Sequence, residues 1–140
     1  MTEDRIRENE RTRRSQQGQA EPSICVIEDD PAVALLVRRV AERTGMRVVM
    51  STSARQAMET IASENPRLVI ADVNLPDLRG TDLVDELRQK GVRCPVLFIS
   101  GDSSLATLDG SLQFAKASFL PKPFTASELS DAIWAALGQR

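Results

Sequence analysis

Residues 67–76 are Arg-Leu-Val-Ile-Ala-Asp-Val-Asn-Leu-Pro, an apolar run that ends at Asp72 and is broken by Pro76. A short continuous apolar run with such an end is typical of a strand buried on both faces of a parallel sheet. Ligands of open α/β sheets bind at the carboxyl ends of the strands, which is where Asp72 would stand. Asp72 is therefore the first candidate for chemistry in this sequence.

The composition indicates one soluble domain without a nucleic-acid or membrane partner. The chain has 140 residues, 41% hydrophobic content and a formal net charge of −2, which gives no strongly basic field. Its longest apolar run, residues 32–37, is far shorter than the roughly 20 residues of a membrane helix, and the N-terminus is polar. We expect a cytoplasmic protein. Cys25 and Cys94 are expected to be reduced core residues, since the chain has no histidine to complete a zinc site.

The order of apolar segments predicts the fold. Residues 1–22 are polar and are expected to form a disordered or transiently helical tail, so the domain is assigned to residues 23–140. Five short apolar runs follow and alternate with segments of helical periodicity; they cover residues 24–27, 47–50, 68–72, 95–100 and 118–121. This alternation predicts an α/β fold, namely a five-stranded doubly wound parallel sheet of the flavodoxin-like (βα)5 type.

Local signals place the helices between these strands. Asp30 before Pro31 is typical of a helix start, with Leu36 among the apolar residues of the first helix. Two further starts have the spacing of a capping box, which pairs a hydroxyl with a side chain three residues on: Ser53 with Gln56, and Thr125 with Glu128. Thr81 is predicted to begin the third helix. Residues 101–116 have helical spacing interrupted by Gly110, so a weak fourth helix is predicted there.

Charged and hydroxyl side chains follow the predicted strands. Glu28 and Asp29 follow the first strand, while Asp72, Ser100 and Lys122 stand at the ends of the third, fourth and fifth. Strands one, three and four are neighbours in a flavodoxin-like sheet, so these groups would meet. Crowded carboxylates favour a divalent cation, and an all-oxygen ligand set suits Mg²⁺.

Such a site would allow Asp72 to attack phosphorus and form an acyl phosphate. Taken singly, these residues have ordinary roles: solvated acids, a strand-end cap at Ser100 and a surface lysine at Lys122. The combination of all of them favours a site. The peptide bond that follows Lys122 precedes Pro123 and could be cis.

Four motifs in this order resemble the receiver domain of bacterial two-component response regulators, over about residues 23–140. They are Val-Ile-Glu-Asp-Asp-Pro at 26–31, Asp-Val-Asn-Leu-Pro at 72–76 with Gly80, Phe-Ile-Ser-Gly at 98–101, and Phe-Leu-Pro-Lys-Pro-Phe at 119–124. The resemblance implies the fold of the chemotaxis response regulator.

The resemblance also implies a role for each matching residue. Asp72 would be the phosphoacceptor, with Glu28, Asp29, Asp72 and the backbone carbonyl of Asn74 as ligands of Mg²⁺. Lys122 would pair with the phosphoryl group, Ser100 would be the switch hydroxyl and Phe119 the switch aromatic residue. Two positions depart from the common pattern: Ser100 is serine rather than threonine, and Phe119 lacks the hydroxyl that many relatives carry as tyrosine.

We therefore expect a phosphoacceptor rather than a turnover enzyme. A histidine kinase or phosphotransfer protein would supply the phosphoryl group, and an unknown downstream protein would bind the surface of the fourth predicted helix, fifth strand and last helix. The same surface could form a homodimer. The chain ends at Arg140, so output through protein contacts is expected, with no direct DNA binding and no membrane contact. The alternative is a receiver fragment of a larger regulator or hybrid kinase.

Two other functional classes are weaker. A phosphohydrolase with an aspartyl nucleophile usually has a second acid two residues after the nucleophile, where this sequence has Asn74. A flavin carrier with the same strand order would bind phosphate after the first strand, and the acids 28–30 would repel that phosphate.

Overall fold

The computed structural model describes residues 21–101 and 116–138. The described elements, in chain order, are β1 (Ser23–Ile27), α1 (Pro31–Glu42), β2 (Arg47–Ser51), α2 (Ala54–Glu64), β3 (Leu68–Asp72), α3 (Gly80–Gln89), β4 (Val96–Ser100), β5 (Ala117–Pro121) and α4 (Ala126–Ala136). The predicted N-terminal tail, apart from residues 21 and 22, and the helix predicted at 101–116, apart from its two end residues, lie outside the described residues. In the described part of the chain, no helix is long and apolar enough to cross a membrane.

The five strands form one sheet in the order β2-β1-β3-β4-β5, and every neighbouring pair is parallel. Ile27 pairs with Ala71, and Asp72 pairs with Ile99 on the next strand. The predicted flavodoxin-like sheet is confirmed. Its register brings the carboxyl ends of β1, β3 and β4 side by side, which is the arrangement that a shared site requires.

Alternate residues of the central strands face two separate cores. On β3, Val69 and Ala71 belong to a core that α2 and α3 cover, whereas Leu68 and Ile70 belong to a core that α1 and α4 cover. Successive side chains of a strand point to opposite faces, so a strand between two helical layers must be apolar throughout. This explains why the strand runs could be identified without an alternating pattern.

Helix α1 begins as predicted and buries a narrower face than expected. The Asp30 carboxylate accepts a hydrogen bond from Ala32 N at 2.9 Å, and Pro31 occupies the first helical position. The buried residues of α1 are Val37, Val40 and Ala41. Leu36 was placed on the apolar face and is 37% exposed, because the buried stripe is centred on the i, i+3, i+4 set that begins at residue 37.

Helix α2 has half of the predicted capping box. The Ser53 side chain accepts a hydrogen bond from Gln56 N at 3.2 Å. The Gln56 side chain does not return to Ser53 and instead accepts from Thr52 N at 3.1 Å. The hydrogen bond that would complete the capping box is therefore made by Thr52 N rather than by Ser53 N. The helix ends at Asn65, whose φ of 48° is left-handed, and Pro66 follows.

Helix α3 begins one residue before the predicted Thr81. Arg79 is its N-cap residue, and Gly80 N donates to Val73 O at 2.9 Å. Gly80 also lies against the core, because an added Cβ would be 2.7 Å from Phe98 Cε1. This close approach needs a residue without a side chain at position 80.

The last helix and the two cysteines agree with the sequence. Thr125 and Glu128 form a complete capping box at the start of α4. Cys25 is buried and Cys94 is half-buried, and both are free thiols. Burial raises the pKa of Cys25 to about 12 and also raises the pKa of Cys94, so both behave as core residues rather than as reactive thiols.

Candidate functional site

Three carboxylates meet at the carboxyl edge of the sheet. Glu28 and Asp29 directly follow β1, and Asp72 is the last residue of β3. One oxygen from each of the three lies within 4.8 Å of the others. Strand pairing between β1 and β3 produces this cluster, because Ile27 and Ala71, the residues that precede Glu28 and Asp72, are partners in the register. The predicted acidic cluster is present.

Lys122 joins the cluster from β5. Its ammonium donates to Asp72 Oδ2 at 2.9 Å and lies 3.6 Å from Glu28 Oε1. The backbone is held by Lys122 N, which donates to Ser100 O at 2.7 Å, and the bond between Lys122 and Pro123 is cis. Burial lowers the pKa of Lys122, but its contacts with the Asp72 and Glu28 carboxylates outweigh that effect and leave the pKa raised. Lys122 is therefore a fixed cation of the site.

Glu28 is the buried member of the acidic cluster. It is 2% exposed, and neither of its side-chain oxygens accepts a hydrogen bond from a residue that the structure describes. Burial, followed by repulsion from Asp72, raises the pKa of Glu28 to about 7. A buried carboxylate without hydrogen bonds is costly unless a cation offsets its charge.

This acidic cluster fits a hard divalent cation. Two unsatisfied oxygens of Glu28 lie beside Asp72 and the exposed Asp29, and all of the ligand atoms are oxygen. Such a set suits Mg²⁺, which takes one or two carboxylates and keeps several waters. Glu28, Asp29 and Asp72 are thus able to hold a metal ion.

The loop after β3 presents Asn74 next to these acids. Asn74 N donates to Asp72 Oδ1 at 2.8 Å, and Asn74 itself is exposed between the buried residues Val73 and Leu75. An isolated bridge pairs Asn74 with Arg79. The bond of that bridge runs between the flanking residues, from Gly80 N to Val73 O. Asn74, the predicted fourth ligand of the metal, therefore lies in a loop whose two ends are joined by a backbone hydrogen bond.

Comparison with known proteins agrees with this geometry. The model of the response regulator receiver domain matches residues 24–134. This chain belongs to the response regulator receiver domain family. The four sequence motifs therefore indicated the correct family, the receiver domain of two-component systems.

The receiver is similar to several bacterial regulators. It is 34% identical over 106 residues to response regulator MprA of Mycolicibacterium vanbaalenii, covering 76% of this chain and 46% of that protein. It is 31% identical over 127 residues to nodulation protein W of Bradyrhizobium diazoefficiens, covering 88% of this chain and 56% of that protein. The chain thus spans about half the length of these relatives.

A solved structure has the same fold. The CheY-like response regulator receiver domain protein from Methanospirillum hungatei has a TM-score of 0.75 and 25% sequence identity, covering 86% of this chain and 96% of that one. Almost the whole length of that receiver is therefore matched by the fold described above.

The two predicted switch residues of the receiver lie on neighbouring strands. Ser100 ends β4 and is 1% exposed, and it pairs with Pro121 directly before Lys122. Phe119 is half-buried on β5, and its ring stacks on Phe98 with centroids 5.6 Å apart and planes at 21°. Ser100 thus stands at the same edge as the acids, while Phe119 is packed against the core below them.

Sequence reasoning missed two residues that support the site. Phe98 was placed in a strand and in one of the four motifs but was given no role, although it packs under Gly80 and stacks on Phe119. Asp77 was not singled out, although its carboxylate binds the start of α2. A turn residue after Pro76 was visible in the sequence, but nothing there identified a partner more than 20 residues earlier.

Proposed function

We propose that this receiver accepts a phosphoryl group on Asp72 from the phosphohistidine of a kinase or phosphotransfer protein. The observation that carries the proposal is the ammonium of Lys122, 2.9 Å from Asp72 Oδ2, beside three carboxylates that lie within 4.8 Å of one another. A cation fixed beside a carboxylate and a cluster able to hold a metal is the arrangement that phosphoryl transfer needs, because that reaction depends on positioning and charge neutralisation.

Mg²⁺ is the proposed cofactor. Glu28, Asp29 and Asp72 would hold it through side-chain oxygens, and Asn74 through its backbone carbonyl. When bound, the ion would offset the charge of the carboxylates and of the phosphoryl oxygens. Its fit is supported by the unsatisfied oxygens of Glu28, which the described residues leave without hydrogen bonds.

The proposed transfer forms one bond and breaks one. A carboxylate oxygen of Asp72 attacks phosphorus, the bond from phosphorus to the donor imidazole nitrogen breaks, and that nitrogen keeps the electron pair and takes up a proton from solvent. The product is an acyl phosphate on Asp72. Lys122, which already contacts this carboxylate, is placed to pair with a phosphoryl oxygen.

The proposed output is a shift between two conformations of the receiver. The Ser100 hydroxyl would donate a hydrogen bond to the phosphoryl group. Phe119 would change position in response and alter the surface of β5 and α4, where a partner protein or a second copy would bind. The added charge biases a pre-existing equilibrium, as phosphorylation does in general. We propose this role in the cytoplasm, where the free thiols of Cys25 and Cys94 stay reduced.

Acetyl phosphate tests the proposal. The 140-residue protein is incubated with Mg²⁺ and acetyl phosphate, and intact mass is measured before and after treatment with base. We expect a base-labile addition of one phosphoryl group, which EDTA prevents and Asp72→Asn abolishes. Asp131→Asn, on the exposed face of α4, is the matched control and should be modified like the wild type.

Two outcomes would reject the proposal. An unchanged adduct on Asp72→Asn would place the modification elsewhere, and no adduct on the wild type would remove the receiver activity. Continuous release of phosphate from several monoesters by the wild type would instead favour an aspartyl phosphohydrolase.

A further inference from the structure

The loop between β3 and α3 is tied to another helix by one carboxylate. Asp77 Oδ1 accepts a hydrogen bond from Ala54 N, and Asp77 Oδ2 accepts from Arg55 N, both at 2.9 Å. These partners stand 23 and 22 residues before Asp77 in the sequence. The carboxylate therefore joins two segments that the chain does not connect locally.

The start of α2 is a favourable place for the Asp77 carboxylate. Ala54 and Arg55 are the first two residues of α2, and the backbone N–H groups at a helix start have no partner inside the helix. A carboxylate there meets both the free donors and the positive end of the helix dipole. The two backbone hydrogen bonds hold the pKa of Asp77 below its ordinary value, so the carboxylate is charged at neutral pH.

Each end of this tie leads to a ligand of the acidic cluster. On the Asp77 side, the loop carries Asn74, whose N–H donates to Asp72 Oδ1. On the α2 side, the turn before the helix follows Ser51, and Ser51 O accepts a hydrogen bond from Glu28 N at 3.0 Å. Asp77 thus closes a path from the backbone of Glu28 to the backbone of Asn74.

We propose that Asp77 is a positioning residue for the divalent cation of this receiver, because it fixes the loop of Asn74 relative to the turn that supports Glu28. This inference rests on the proposed Mg²⁺ site. Groups that orient metal ligands from outside the coordination sphere commonly affect metal affinity by about 10- to 100-fold. We expect Asp77→Ala to weaken metal binding about 10-fold while the proposed ligands are all retained.

A simple structural cap would have a different consequence, and the chain offers a matched control. Ser53 caps the same helix end, through Gln56 N, but its hydrogen bond stays within the α2 segment. Ser53→Ala therefore weakens the start of α2 without cutting the tie to the Asn74 loop. Asp77→Asn, which keeps an acceptor oxygen and loses the charge, should bind metal with an affinity between those of the wild type and Asp77→Ala.

The experiment measures Mn²⁺ binding to the full chain by electron paramagnetic resonance, with Mg²⁺ as competitor, alongside thermal unfolding of each variant without metal. We expect both Asp77→Ala and Ser53→Ala to unfold at lower temperature than the wild type. Only Asp77→Ala should show the weaker affinity for Mn²⁺ and Mg²⁺.

The outcomes separate this inference from the proposed function. If the wild type binds Mn²⁺ and Asp77→Ala binds it equally well, or if Ser53→Ala loses affinity to the same extent, Asp77 is only a helix cap. If the wild type binds no Mn²⁺, or Asp72→Asn and Asp29→Asn bind it like the wild type, the metal site itself is wrong and the role of Asp77 is rejected with it.

Discussion

The Nζ atom of Lys122 lies 2.9 Å from Asp72 Oδ2 and 3.6 Å from Glu28 Oε1, so one ammonium group contacts two carboxylates on different strands. Asp72 ends β3, Glu28 follows β1, and Lys122 arrives from β5 at the edge of the sheet. Lys122 therefore links β5 to β3 and to β1, neither of which is a neighbour of β5 in the sheet. Its charge acts on both the proposed nucleophile and the proposed metal ligands.

Replacing Lys122 separates these two effects. Lys122→Met removes a charge-assisted hydrogen bond, which is worth about 1.5–3 kcal/mol, so phosphorylation by acetyl phosphate should slow about 10- to 100-fold. Metal affinity should rise, since a positive group next to the carboxylates is lost. Phosphorylation rates by intact mass and Mn²⁺ affinity by electron paramagnetic resonance measure the two. Equal loss of phosphorylation rate and metal affinity in Lys122→Met would contradict this division. Lys90→Met, at the exposed C-cap of α3, is the control.

The raised pKa of Glu28 predicts a pH-dependent stability. The ordinary pKa of the glutamate is 4.5 and the folded value is about 7, so the folded protein binds more protons between these values. The contribution of Glu28 to the free energy of unfolding is then fully present below pH 4.5 and is lost as the pH rises through 7. Glu28→Gln should reduce this loss by about 1 kcal/mol or more.

Urea unfolding in EDTA at several pH values between 4.5 and 8 measures the effect of Glu28. Glu86→Gln, an exposed residue of α3, serves as control and should keep the wild-type slope. Added Mg²⁺ should raise the free energy of unfolding most at pH 8, where the carboxylates are charged. A wild-type curve without this decline, or the same decline in Glu28→Gln, would show that Glu28 is not buried as described.

The stack of Phe98 on Phe119 predicts an energetic coupling between β4 and β5. Aromatic pairs of this geometry contribute about 0.5–1.5 kcal/mol beyond their buried area. A double-mutant cycle with Phe98→Leu and Phe119→Leu, followed by urea unfolding, should give a coupling of that size. Phe98 and Phe124 face different cores, so the cycle with Phe124→Leu should be additive within about 0.5 kcal/mol. A coupling no larger than that of the control pair would exclude a role of Phe98 in holding Phe119.

The capping box of α4 predicts a local stability effect. Thr125→Ala removes the acceptor for Glu128 N and should lower the free energy of unfolding by about 1 kcal/mol, and Thr125→Ser should restore most of it. Urea unfolding of the three proteins decides this. Equal stability of the alanine and serine variants would mean that the hydroxyl at position 125 does not cap the helix.

Partners close in sequence explain which features could be predicted. The caps at Asp30 and Thr125 were correct because donor and acceptor stand within three residues, and the cluster of Glu28, Asp29 and Asp72 followed from strand order alone. The predicted hydrogen bond from Ser53 N to the Gln56 side chain was wrong, because that side chain accepts from the neighbouring Thr52 N instead.

Contacts between distant segments were out of reach. Asp77 binds α2 across more than 20 residues, and Gly80, the first residue of α3, lies against Phe98 of a later strand. The half-buried position of Phe119 likewise depends on its register partner, Phe98. Hydrophobic pattern predicts that such residues are buried, but not which neighbour each one meets.

The contact of Phe98 with Gly80 has a consequence for how this protein can vary. The ring of Phe98 touches the first turn of α3 and also the ring of Phe119, so positions 80, 98 and 119 share one fixed space. A side chain gained at one of them must be offset by atoms lost at another, because a close-packed interior has no spare volume. Selection from a library randomised at all three positions should therefore return combinations of nearly constant total volume rather than independent preferences at each position.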